Sequence, residues 1–394
     1  MKHAGAFMEG QVKRRALIIV ALGLLSSMTM VQGQWGVAKR LTWTAGDSYN
    51  PAIAIDSNNA IHVVWDDDTP AGREIFYRRS TDGGTTWSGL QQLTLTPGTS
   101  SCPAMAIDSS DRIHVVWHDY APGNPAIYYR RSIDGGLTWA VVRRLTWNSG
   151  PALYAAIARG MGDEVHVVWV DNTPGNDEVF YKRSLDGGSN WSASKRLTWS
   201  EGNSWYPDIG VDQSNAVDVV WTEYSASAND IYFKRSADGG FIWSAAKRLT
   251  WNSGNSFTPA MALDSYDVAH VIWKDDTSGN DEIYYRRSAN GGATWSPASR
   301  LTWMSGAKRP AIAIDSSDVI HMVCYYGESG DREIYYKKST DGGTVWSALQ
   351  KLTGTSGWSD YPAVDVDSNL TVHVVWIDDT PGNYEIYYKK GNLP

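Results

Sequence analysis

The chain has 394 residues, 20% charged and 42% hydrophobic, with 37 Gly, 15 Pro and 20 Trp beside only 6 Phe, a globular composition that is neither collagen-like nor disordered. A formal charge of -8 argues against nucleic acid as a partner, and two cysteines are too few for a disulfide framework or a Cys-pair metal site. The excess of Trp is what asks for an explanation.

Lys13, Arg14 and Arg15 precede an apolar run from Ala16 to Leu25 and a polar stretch ending in Gly33, which reads as a signal peptide over 1–33. The run is short for a bilayer span, and no later stretch approaches the roughly 20 apolar residues that such a helix needs. The expectation is a monomeric, exported chain, secreted or periplasmic, with no stable membrane insertion and one domain over 34–394.

The next phrase, Lys39-Arg-Leu-Thr-Trp43, belongs to a repeat that then unfolds in full. Pro51 to Asp56 predicts a strand A, Ile61 to Trp65 a strand B, Glu74 to Ser80 a strand C, and Trp87 to Leu95 a strand D. Each is rich in β-branched and aromatic residues and bounded by Gly, Pro, Asn or Asp. Between C and D lies Ser-x-Asp-Gly-Gly-x-x-Trp, which begins at Ser80, Ser132, Ser184, Ser236, Ser288 and Ser339, at spacings of 52, 52, 52, 52 and 51. Its acidic position is Asp82, Asp134, Asp186, Asp238, Asn290 and Asp341.

The A, B and C phrases recur seven times, and the missing seventh D phrase is the one at 39–43. Four short strands per unit of about 50 residues is the size of a propeller blade. The reading is therefore an all-β, seven-bladed β-propeller of four-stranded antiparallel blades, with the N-terminal strand paired into the last blade. Seventeen of the 20 Trp fall at repeat positions, all but Trp35, Trp205 and Trp358, and are expected to fill the gaps between blades.

The Ser-x-Asp-Gly-Gly-x-x-Trp phrase resembles the Asp-box, or BNR repeat, of sialidase-like β-propellers. The resemblance implies a structural hairpin in which the Asp oxygens hold turn amides, on the face away from a ligand. It does not extend to sialidase chemistry. Tyr49-Asn50-Pro51 stands where those enzymes carry an Arg-Ile-Pro phrase, and they have six blades rather than seven.

With strands alternating, the D–A and B–C loops share the expected binding face. Two acidic positions repeat there, at Asp67 and its equivalents and at Glu74 and its equivalents, expected to cap turns and to pair with strand C bases such as Arg78 and Arg79. Oxygen-rich loops of this kind could hold calcium, but no cofactor is expected. A His repeated on strand B, replaced by Asp218 in blade 4, reads as a structural hydrogen bonder.

A unique site belongs where the repeat breaks. Ahead of strand A the variable position is Asn50, Cys102, Tyr154, Tyr206, Thr258, Arg309 and Tyr361, and on strand A Asp208 and Asp365 replace small residues. Blade 6 departs most, with Tyr325 and Tyr326 among its changes. The candidate ligand residues are Tyr154, Tyr206, Arg309, Tyr325, Tyr326, Tyr361, Asp208 and Asp365. Two function classes follow: a recognition or scaffold module for a glycan or extracellular protein, or a sialidase-like exo-glycosidase. In the second, Arg73, Arg309 and Arg332 would grip a carboxylate, and Tyr326 with Glu328 would form the nucleophilic pair. Cys102 and Cys324 are expected to be free thiols.

Overall fold

The computed structural model describes residues 34–70, 72–121, 123–327 and 332–392, so the signal-peptide reading lies outside the described residues. The chain forms the expected seven-bladed β-propeller of antiparallel four-stranded sheets. In blade 1 the strands are A Ser48–Ile55, B Ile61–Thr69, C Gly72–Ser80 and D Gln91–Gln92. Strand A of each blade lies against strand A of the next, and that of blade 7 against that of blade 1. Among the described residues no helix is long and apolar enough to cross a membrane.

The ring closes as the repeat requires. Lys39 and Arg40 pair with Tyr388 and Tyr387 of the last strand C, and Gln34 and Trp35 extend the same edge opposite Asn392 and Gly391. Trp35 is the seventh interblade Trp. It meets Tyr336 edge-on at 5.1 Å, as Trp139 meets Tyr77 and Trp191 meets Tyr129 at 5.1 Å. Its indole donates to Gln350 at 3.1 Å, as that of Trp139 does to Gln91 at 3.0 Å. The eight-residue spacing from Trp35 to Trp43, equal to that from Trp139 to Trp147, is the sequence signal that this position carried.

Strand D is shorter than expected, two residues rather than the whole of Trp87 to Leu95. The Leu-Thr-Trp that follows it explains why. Leu93 is buried between blades, and Thr94 takes over from the backbone ladder, its hydroxyl accepting from Ile75 N at 2.8 Å and donating to Glu74. The third residue then points out. Trp43, Trp147, Trp199, Trp251 and Trp303 are 63–68% exposed, so these five are not spacers, unlike the strand B Trp, which are fully buried. Each exposed indole instead lies beside a base from the next blade: Arg78 at 5.6 Å, Lys182 at 5.4 Å, Lys234 at 5.1 Å, Arg286 at 5.3 Å and Lys337 at 4.9 Å.

The repeated carboxylates are buried rather than spread over a loop face. Asp67 accepts from Ser48 at 2.5 Å, and Glu74 accepts from the Thr94 hydroxyl and from Thr96 N at 2.9 Å. Their basic partners come from strand D, not strand C. Arg40 meets Glu385 at 2.6 Å, Arg196 meets Glu178 at 2.7 Å and Arg300 meets Glu282 at 2.6 Å.

The repeated His is a hydrogen bonder, Nδ1 of His62 sharing a bond of 2.8 Å with the Tyr77 hydroxyl. Blade 4 changes both partners together. Asp218 replaces the His, Phe233 replaces the Tyr, and Arg235 fills the space, donating to both Asp218 oxygens at 2.9 and 2.8 Å.

In the C–D turn, Asp82 accepts from the Thr86 hydroxyl at 2.6 Å, from Thr86 N at 2.8 Å and from Thr85 N at 3.0 Å, bonds that hold its carboxyl well below the usual range. Asn290 does the same for Thr294 N at 2.8 Å. The second glycine of the phrase is required twice over. At Gly136, φ is 81°, and a Cβ there would collide with the Tyr77 ring.

Candidate functional site

Every strand A carries a bulge at the same place. Between Tyr49 and Ala52 two residues of strand A oppose one of strand B, and the shift recurs in all seven blades. The first bulged residue is the variable position already singled out, and in every case it has positive φ: Asn50 50°, Cys102 51°, Tyr154 50°, Tyr206 54°, Thr258 47°, Arg309 48° and Tyr361 50°. Tyr, Arg and above all β-branched Thr seldom adopt this conformation, so seven copies represent strain that the ring sustains at its axis. All seven line one cavity of about 530 Å³ at the axial mouth.

The wall of this cavity is uneven. On the side of blades 2 to 4, Tyr154 packs against Tyr206 at 5.4 Å, Trp205 at 5.3 Å and His118 at 5.8 Å. On the other side the Arg309 guanidinium carbon lies 3.6 Å from the Tyr361 ring centroid and the group donates to the Tyr361 hydroxyl at 2.6 Å, with the carboxylate of Asp360 at 3.9 Å. Arg73 stacks on Tyr49 at 4.5 Å and pairs with Asp68 at 2.7 Å and Asp66 at 3.3 Å. The mouth thus offers aromatic faces opposite two guanidinium groups.

Two titratable groups tune it. Burial pushes Asp66 up to about 6, against the opposing pull of Asn50 and Arg73, and its Oδ1 accepts from Asn50 at 2.9 Å and from Cys102 N at 3.0 Å. Burial lowers His118 to about 4, so its imidazole is neutral at about pH 7, and its Nδ1 has no hydrogen-bond partner among the described residues.

Of the expected ligand residues, Tyr154, Tyr206, Arg309, Tyr361 and Asp208 share this cavity, as does Arg73. The Asp208 carboxylate is already engaged, accepting from Ile209 N at 2.9 Å and from Met261 N of the next blade at 2.8 Å. Asp365 lies away from the cavity lining and bridges blade 7 to blade 1, accepting from Ile55 N at 2.9 Å. Tyr325 is buried behind the wall under Arg332, whose guanidinium pairs with Asp360 at 2.8 Å and covers Trp358 at 4.6 Å. The three arginines therefore do not converge; Arg73 and Arg309 alone of them face the cavity.

Tyr326 is likewise buried and outside the mouth. It stands in the repeated carboxylate position, and its hydroxyl donates to Glu282 at 3.2 Å and contacts the Met304 backbone. Burial and Glu282 raise its pKa, the reverse of what a nucleophile needs. Glu328 lies outside the described residues.

The residues that sequence reading missed are Asp66 and His118. They occupy the strand B position that runs Asp66, His118, Val170, Thr222, Lys274, Tyr325 and Ile377, one residue before the constant acidic position. The rule that a site lies where the repeat breaks points at this position as strongly as at the bulge. The two cysteines are free, Cys102 at the mouth and Cys324 buried in place of a strand B Trp. Among the described residues no group of three or more His, Cys, Asp or Glu is placed to hold a metal ion.

No family model matches the chain. Xyloglucanase Xgh74A of Acetivibrio thermocellus is 28% identical over 256 residues, covering 58% of this chain, which spans 28% of that protein's length. Among solved structures, a PL25 ulvan lyase bound to -[GlcA(1-4)Rha3S]- aligns over 90% of this chain and 96% of its own, with a TM-score of 0.64 and 13% identity. The Hadza microbial sialidase Hz136 aligns over 87% of this chain and 65% of its own, with a TM-score of 0.53 and 14% identity. At these identities the structures share the fold with this chain. All three are carbohydrate-active proteins by name.

Proposed function

We propose that this chain is an exported recognition propeller of the Asp-box type whose axial mouth binds an acidic sugar, a uronate in particular. The observation that carries this reading is the convergence of seven positive-φ bulge residues on one cavity, with Tyr154 and Tyr206 opposite Arg309 and Arg73. Aromatic faces stack on the apolar face of a pyranose, and a guanidinium grips a carboxylate through parallel hydrogen bonds. Sugar-directed activities in the names of its relatives agree with a glycan partner. The reading needs no cofactor: the repeated carboxylates, the calcium candidates, are taken up by Ser, Thr and Arg donors.

A glycan array carrying uronates, sialosides and neutral sugars tests it, probed with wild type, Tyr206→Ala and Arg309→Ala. Uronate signals that weaken in both variants are expected. A silent array, or a preference for neutral sugars, contradicts the proposal.

One observation favours a catalytic second reading. Neutral His118, packed on Tyr154 in the blade next to that of Arg73, could take the C5 proton of a uronate whose carboxylate Arg309 or Arg73 neutralises. The C4–O bond would break, a C4–C5 double bond would form, and the leaving oxygen would gain a proton. Ultraviolet absorbance of the unsaturated product, present in wild type and absent in His118→Ala, distinguishes this from binding alone.

A further inference from the structure

The outer wall of the ring carries a second feature that the axial site does not use. Each of the five exposed Trp stands at the seam between two blades, where strand D leaves for the D–A loop, beside a base from the following blade. Each indole presents a large flat apolar face to solvent, and the five recur at equivalent positions of the repeat.

The bases beside them occupy a position that donates to the strand D Leu carbonyl in all seven blades, Arg130 and Lys389 doing so where Leu95 and Gly354 replace the Trp. Lys182, Lys234 and Lys337 are 5–7% exposed, and each ammonium donates at 2.7 Å to a single backbone carbonyl, that of Leu145, Leu197 or Leu301. Arg78 and Arg286 donate in the same way to Leu41 and Leu249 at 2.6 Å, and the Nε of each is buried without a partner. Among the described residues, no carboxylate lies within ion-pair distance of any of the five. A buried charge is ordinarily paired, and Lys182, Lys234 and Lys337 have no carboxylate partner among the described residues of a chain whose net charge is -8.

Two of the seams open into cavities. One, of about 420 Å³, has Trp147 and Lys182 in its lining together with Arg143, Arg144 and Asn190. The other, of about 260 Å³, has Trp251, Asn252 and Arg286.

We propose that the Trp seams are repeated subsites for an acidic polysaccharide, each indole stacking on a pyranose ring while the neighbouring Lys or Arg takes the uronate carboxylate of the same chain. Charge complementarity selects this occupant: among the described residues no carboxylate pairs with the five bases, and the Trp147 cavity adds Arg143 and Arg144 to its aromatic face. Four of the five Trp seams, at Trp147, Trp199, Trp251 and Trp303, are consecutive around the ring, so a long glycan can engage several in succession, and linked weak sites raise affinity by effective concentration. This circumferential site differs in place and in multiplicity from the single axial mouth.

Native mass spectrometry with tetragalacturonate, and with cellotetraose as the neutral match, tests the proposal. Wild type is expected to bind more than one tetragalacturonate per chain, and Arg309→Ala, which removes a mouth contact only, is expected to keep the additional copies. Trp147→Ala with Trp251→Ala is expected to lower the number bound and to weaken polygalacturonate binding by about tenfold, with Trp→Phe at both positions restoring part of it. Lys182→Met, which retains the packing, is expected to lose the preference for uronate at its seam. One tetramer or none per chain, a number unchanged in the double Trp variant, or equal binding of cellotetraose overturns the proposal. Should the double variant fold poorly, protection of wild-type Trp fluorescence from acrylamide quenching by tetragalacturonate decides, and no protection overturns it. If the rim copies vanish and one mouth copy stays, the axial reading stands alone.

Discussion

Asp208 and Asp365 show how a single residue can mark either a site or a joint. Both replace small residues of strand A, and both reach across to a backbone N–H of the next blade. Burial pushes each up to about 6, so the fold favours their protonated form. Because the folded value lies above the ordinary one, their stabilising contribution is complete at low pH and is lost as pH rises from about 4 through about 6. The unfolding free energy of wild type relative to Asp365→Asn, measured in urea, should therefore fall by about 2 kcal/mol between pH 4.5 and pH 7.5. An equal gap at both pH values would show that Asp365 has no such linkage. Sequence reading took these carboxylates for ligand groups because a broken repeat does not say which way a side chain turns. It passed over His118 because attention to the constant acidic position beside it hid the variable one.

Among the elements, the Leu-Thr-Trp end of strand D is the most instructive. Three successive residues meet three environments: Leu goes between blades, Thr completes the hydrogen bonding of strand C, and Trp goes to solvent. The repeat made every strand legible in order and number, because turn residues and β-branched runs recur at constant spacing. It could not show that five of the Trp point outward, since period-two patterning needs a strand long enough to alternate, and this one has two residues.

The same element closes the ring at Trp35, which fills the interblade place against Tyr336. Trp35→Ala is expected to cost about 2–3 kcal/mol by removing a half-buried indole and its bond to Gln350, and Trp35→Phe less than half of that. Chemical denaturation measures both. No loss in Trp35→Ala would mean that the terminal strand pairs without contributing to closure.

At the scale of the whole molecule, near-sevenfold repetition and its exceptions separate scaffold from site. The buried Trp, the His–Tyr pairs and the C–D turns are the same in six of the seven blades, a strand D Arg or Lys pairs with the strand C carboxylate in five, and together they account for the ring. The bulge is also the same in every blade, yet it displays seven positions that differ, so a uniform backbone presents an uneven mouth. That combination is why the architecture was open to sequence reading while the composition of the mouth required the structure: the bulge is a property of register, which the repeat does not print. Isothermal titration calorimetry of digalacturonate against wild type and the Arg309→Met, Tyr206→Ala double variant tests the mouth most directly. Saturable binding by wild type, weakened at least tenfold in the variant, a loss of about 1.4 kcal/mol or more, is the predicted result. Equal affinity in the two proteins, or no heat with wild type, would contradict it.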